Sequence, residues 1–330
     1  MTRRLMLLLM MMSSYDPKAA AAADADAIPG PSEPGGSGGP GGAGGPSAGA
    51  AAGDARRVTP SGVLMMTGGA LSNQLGAAVG ALAFPVIGPA GVVAVRQWVA
   101  AIALLAVGRP RWRTFTWRQW WPVLSLAVVF ATMNLSLYTA VEHLGLGLAV
   151  TLEFLGPLGV ALASSRRAAD LLCAVPAAAA VAVLARPRPS ADGPGIALGL
   201  LAGVCWASYI LLNRVVGARL PGAQGTAAAA VVSAALYVPV GAVVLAHRPP
   251  TAAALGHAAA AGILSSAVPF VLDLLALRRV PARFFGVFMS VNPAFAALIG
   301  LVVLHQRLGA AEWLAIAVVL GANAAMRRGT

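Results

Sequence analysis

Three ionisable side chains stand inside apolar, helix-forming runs of this chain: Glu153 within residues 144–166, Arg96 within 91–108 and Asp273 within 262–278. A charge at the centre of a bilayer costs about 2.5 kcal/mol or more on insertion scales, so such residues mark substrate paths, proton relays or buried ion pairs. A carboxylate there can bind an ammonium group or carry a proton. A guanidinium offers a planar fork of donors that matches a carboxylate. Structural alternatives stand beside each: Arg96 can neutralise Glu153, and Arg96 and Asp273 can reach the membrane edge by snorkelling. Buried charges in three separate spans point first to a transporter.

Polar neighbours must help if such a site exists. Pro157 lies one turn beyond Glu153, and a proline there removes a backbone hydrogen bond and frees a carbonyl near the carboxylate. Pro293 does the same in a later run, directly after Asn292. Gln74, Asn134, Tyr138 and Trp206 occupy other apolar runs. Each can contact substrate, or can serve as interhelical glue worth about 0.6 kcal/mol. Gly145, Gly147, Gly156 and Gly159 permit close helix packing.

The elements that carry these residues follow from composition. Of 330 residues, 58% are hydrophobic and only 10% charged. Soluble domains carry roughly 25% charged residues, which excludes a soluble enzyme. The net charge of +12 sits in short arginine clusters between apolar runs, so nucleic acid is not an expected partner. Residues 1–57 are rich in Ala, Gly, Pro and Ser and read as a disordered tail. From Val58 the chain reads as ten spans, near 62–82, 89–107, 122–141, 146–164, 171–185, 195–213, 225–246, 256–277, 284–304 and 309–326. Cys173 and Cys205 fall in spans and read as inert buried thiols. No metal-ligand spacing, nucleotide-binding loop or hydrolase elbow occurs, so neither a metal nor a cofactor is expected.

With the N-terminal side of the first span in the cytoplasm, fifteen arginines lie on that side and four on the other. This bias orients both termini toward the cytoplasm. The two halves also echo one another. A shift of 136 residues lays Ala140 on Ala276 and Pro157 on Pro293 without a gap. Five spans per half place the halves in opposite orientations. The fold class expected is therefore an all-α polytopic membrane protein of ten transmembrane helices in two inverted five-helix repeats, residues 58–185 and 195–328.

Several stretches carry a family resemblance: residues 84–97, 133–138, 146–167, 203–211 and 263–298, the run LEFLGPLGVALASSRR above all. The chain resembles the drug/metabolite transporter superfamily with EamA-type repeats, and within it the bacterial threonine/homoserine exporters. The resemblance covers roughly residues 62–326. It implies a carrier of the cytoplasmic membrane that exports small amino acids or related metabolites in exchange for protons, with membrane lipid around it and a homodimer left open. It also favours Gln74, Asn134, Tyr138 and Trp206 as site residues. The chain differs from that branch at Asn292, at His305-Gln306 and at Ala81, where acidic, Gly-Glu and lysine residues are usual. Alternatives are a carrier of other metabolites or drug-like cations, and a non-transporting membrane scaffold.

Overall fold

A computed structural model describes residues 59–164, 192–277, 288–289, 291–306, 308–310, 313–318 and 320–321; for a few of these, Asp273 among them, it describes the backbone alone. The N-terminal tail, the fifth expected span and Cys173 lie outside the described residues. Every regular element among the described residues is helical. In chain order they are α1 (Pro60–Ala81), α2 (Phe84–Gly108), a short 3-10 turn (Trp112–Thr114), α3 (Trp117–Leu144), α4 (Leu146–Glu153), α5 (Leu155–Ser164), α6 (Gly193–Gly217), α7 (Gln224–His247), α8 (Ala252–Gly262), a π turn (Ile263–Ala267), α9 (Val268–Leu277) and α10 (Asn292–Val303).

Local chemistry sets these boundaries. Thr59 caps α1 by accepting from the Gly62 amide, with Pro60 in the first turn, where its missing N–H is harmless. Thr116 and Gln119 form a reciprocal capping box at the start of α3. Within α2, Gly88 takes φ +65°, a conformation glycine tolerates and other residues resist, and Pro89 follows. The two together break the helix near its start.

Two expected spans carry a proline beside an irregular residue. The fourth is split between α4 and α5 at Phe154, and Pro157 falls in the first turn of α5. In the ninth, α10 begins at Asn292 with Pro293 in its first turn. Both prolines were expected as kinks in continuous helices. Phe154 keeps right-handed helical angles and the Leu158 amide bonds to the Phe154 carbonyl, so helical backbone runs on from α4 into α5 around the missing Pro157 N–H; the residue preceding Val291 lies outside the described residues. The eighth span is continuous but passes through the π turn at 263–267.

Among the described residues four helices, α2, α3, α6 and α7, are long and apolar enough to cross a membrane. Leu64, Ile102, Val128, Val204, Val243 and Val302 are exposed on helix faces, as hydrocarbon contact requires. Helices α2 and α7 run antiparallel: Gly91 approaches Val244, and Gly108 approaches Ala223 and Ala227. Gln97 donates to Ser233 Oγ at 2.7 Å and Trp98 to the Ala234 carbonyl at 3.1 Å across this pair. Helix α3 packs on α6, while α8, the π turn and α9 pack on α1. Helices α4 and α5 also lie on α6, and α10 lies on both α1 and α4. Ser72 donates to the Leu264 carbonyl at 2.8 Å in the π turn, and Ser265 donates back to the Asn73 carbonyl at 2.9 Å.

Outside the spans, Asp192 caps α6. Its Oδ1 accepts from the Gly195 amide at 2.9 Å, and its Oδ2 lies 2.6 Å from His143 Nδ1 at the end of α3. These contacts, the Gly195 amide first and His143 second, hold the Asp192 carboxyl below the usual aspartate range. A carboxyl depressed in the folded state contributes stability above its unfolded pKa of about 3.9, and that contribution is lost as pH falls through the lower folded value. The thermal midpoint of the purified protein should therefore carry an acid-side decline that Asp192→Asn lacks. Parallel acid profiles for the two proteins would show that the cap contributes nothing.

Candidate functional site

Glu153 ends α4 at the helix break, and its side chain is only 7% exposed. Pro157 cannot donate to the Glu153 carbonyl four residues back, so this acid sits at a point where the backbone ladder is interrupted. The break is held against α6 by a close approach of backbones: a methyl group added at Gly156 would lie 2.0 Å from the Gly203 carbonyl oxygen.

A cavity of about 460 Å³ opens beside this break, within the size range of ordinary ligand pockets. Helices α1, α2, α3, α4, α6 and α7, the π turn and the start of α10 all contribute to its wall. The expected residues Gln74, Arg96, Asn134, Tyr138, Glu153, Trp206 and Asn292 all line it. Asp273 is carried on α9, and its side chain lies outside the described residues.

Arg96 and Glu153 make no direct ion pair, although the arginine's charge still acts on the carboxyl across the cavity. Among the described residues the one ion pair is His143–Asp192. Arg96 instead donates through Nη1 to Asn134 Oδ1 and lies over the Tyr138 ring, with its guanidinium carbon 5.0 Å from the ring centre. Asn134 is itself oriented by donating from Nδ2 to the Phe130 carbonyl at 2.8 Å. Phe154 and Trp206 meet edge to face at 4.5 Å, and Phe130 and Tyr209 at 5.2 Å, so one side of the cavity is aromatic. Gln97, Asn213, Thr226 and Met289 also line it without having been singled out beforehand. Their types are common helix-packing residues, and only the tertiary fold distinguishes them.

Asn292 joins the second helix break to α1. Its Nδ2 donates to the Met289 carbonyl at 2.9 Å, and its Oδ1 accepts from Gln74 Nε2 at 3.2 Å. Asn292→Asp would leave the half-buried Met289 carbonyl without its donor and set a second oxygen against it. That should cost about 1–3 kcal/mol of stability. Thermal unfolding in detergent measures it, and an unchanged midpoint would show that this amide does not hold the break.

Comparison with known proteins adds the family. The threonine/homoserine exporter RhtA of Escherichia coli (strain K12) and that of Salmonella typhimurium (strain LT2) are each 36% identical to this chain over 256 residues. Each alignment covers 76% of this chain and 86% of the relative. Residues 193–326 match the EamA-like transporter family. The chain belongs to that family. As an EamA-like transporter it is a multi-pass membrane protein and not an enzyme. A solved crystal structure of another protein superimposes with a TM-score of 0.53 at 21% identity, covering 81% of this chain and 96% of the other. At that identity the likeness concerns the fold of this EamA-like chain alone.

Proposed function

We propose that this EamA-like transporter exports threonine- or homoserine-like amino acids across the cytoplasmic membrane in exchange for protons. The observation that carries the reading is Glu153. It stands at a helix break and faces, together with Arg96, a cavity walled by helices from both halves of the chain. A helix whose hydrogen-bond ladder is interrupted at such a cavity offers a carbonyl beside the carboxylate at membrane depth. A cavity holding one acid and one base suits a small molecule that carries both charges, and the RhtA relatives at 36% identity are named for such molecules.

The architecture proposed is ten helices in two inverted repeats, residues 58–185 and 195–328, with residues 1–57 as an appended tail and both termini cytoplasmic. The packing supports it. Under the 136-residue shift the α3–α6 contact corresponds to that of α8 and α9 with α1, and the α5–α6 contact to that of α10 with α1. Gln97 and Ser233, and likewise Trp98 and Ala234, are related by the same shift and bond to each other directly. An axis relating the halves has to pass near such self-paired positions.

Transport then runs by alternating access, one repeat rocking against the other. Ionised Glu153 holds the substrate ammonium while the site opens outward, and protonated Glu153 returns without substrate. Gln74, Asn134, Tyr138, Trp206 and Asn292 shape the site, and Asp273 is a second candidate acid. The aromatic side of the cavity gives some weight to a drug-like cation as substrate. The Arg96 guanidinium in the same wall repels such a cation.

The test is accumulation of labelled threonine and homoserine in everted membrane vesicles with an acidic interior. Accumulation that collapses when the pH gradient is dissipated supports the reading. Absence of accumulation by correctly inserted protein overturns it.

A further inference from the structure

Two donors in the cavity wall have no acceptor among the described residues: Arg96 Nε and the Tyr138 hydroxyl, both on buried atoms. Tyr138 as a residue is 1% exposed. Buried donors without partners are rare because each forfeits the hydration it had in water, so a pair of them on two residues that line one cavity asks for an acceptor. The two are held in place. Asn134 fixes the Arg96 Nη1 corner, and its own orientation is set by the Phe130 carbonyl, so its oxygen has to face the guanidinium. The Tyr138 ring is stacked under that guanidinium and meets Phe84 edge-on at 5.9 Å.

The acceptor that suits this pair is a carboxylate. It is planar, it carries two oxygens with about four lone-pair sites, and it neutralises the arginine. Glu153, the acid described in the cavity wall, makes no direct contact pair with Arg96 and supplies none of these donors with an acceptor. We propose that Arg96 and Tyr138 form the subsite for the carboxylate of the transported molecule, with Asn134 as a positioning residue. The proposal rests on the amino-acid reading above and sharpens it. The carrier requires a free carboxylate at this end of the cavity, while the ammonium end belongs to Glu153. Amides, esters and simple amines lack the negative group and leave the arginine buried and uncompensated, so they are rejected despite their similar size.

Counterflow of labelled threonine in proteoliposomes containing the whole chain tests this. Unlabelled threonine should compete, whereas an equal concentration of threoninamide should leave the signal nearly unchanged. Tyr138→Phe should raise the half-saturating threonine concentration roughly 10-fold, and Arg96→Lys by at least that factor. Weak competition by threoninamide should stay where it was in both variants. If threonine is carried and threoninamide competes with it equally on the native chain, the carboxylate subsite is overturned and the exporter reading stands. If Tyr138→Phe weakens both molecules alike, the hydroxyl is structural and the subsite is likewise overturned. If threonine shows no counterflow at all, both readings fall.

Discussion

Glu153→Gln should abolish gradient-driven accumulation of threonine in everted vesicles while leaving the protein inserted. Glutamine keeps the shape of the protonated side chain and fits the same nearly closed position at the end of α4. It cannot ionise, so it neither attracts an ammonium group nor exchanges it for a proton. A hydrogen bond to a charged group is worth about 1.5–3 kcal/mol, a factor of roughly 10–100 in affinity. Coupling suffers more than affinity, because the proposed cycle has no other route for the proton. Two measurements separate these effects. Driven accumulation should fall to background, whereas counterflow at high threonine should persist with a raised half-saturating concentration. In the native protein, proton and ammonium compete for one carboxylate, so acid should weaken apparent affinity for threonine. In the variant that pH dependence should vanish. Driven accumulation at the native level by Glu153→Gln would remove Glu153 from the coupling path and leave Asp273 as the acid to test.

How far the sequence foretells such a site depends on the reach of the signal. A lone acid in an apolar run is a local feature, and Glu153 and Arg96 do meet at one cavity. The paired prolines are legible too, since a fixed shift of 136 residues superposes Pro157 and Pro293. Each lacks the N–H that would bond four residues back, so each interrupts the hydrogen-bond ladder of its span. The same shift lays Glu153 on Met289, and both line the cavity, so a nearly symmetric frame carries an asymmetric pair of groups. The contacts that join the halves left no trace in the sequence. Gln97 and Ser233 are unremarkable residues until α2 and α7 cross, and nothing around residues 263–267 announces a π turn. The second span was expected to begin at 89, and the structure instead starts α2 at Phe84 and places its irregular residue at Gly88. Asp192 and His143 lie 49 positions apart, too far for any local pattern to pair them.

Glycines show the same limit and give the second large effect. Gly145, Gly147, Gly156 and Gly159 looked alike in the sequence, yet their surroundings differ sharply. A methyl group at Gly156 would sit 2.0 Å from the Gly203 carbonyl oxygen and 2.9 Å from its carbon, both rigid backbone atoms. At Gly203 it would meet the Leu152 and Glu153 carbonyl oxygens at 3.0 and 3.2 Å, a tight fit that a small shift relieves. At Gly159 it would meet nothing within 4 Å. Gly156→Ala must therefore push α5 away from α6, and overpacking of this kind typically costs about 1–3 kcal/mol, occasionally more. It also moves the break that carries Glu153, so transport should fall by a larger factor than stability alone dictates. Gly203→Ala should be milder in both respects. Gly159→Ala should be neutral or slightly stabilising, because alanine is the better helix former by about 1 kcal/mol and the added methyl faces open space. Thermal midpoints in detergent and threonine counterflow, measured across the three variants, should rank Gly156 worst and Gly159 best. An equal response at Gly156 and Gly159 would mean that α5 and α6 do not meet through these backbones, and the support for Glu153 at the cavity wall would have to come from elsewhere.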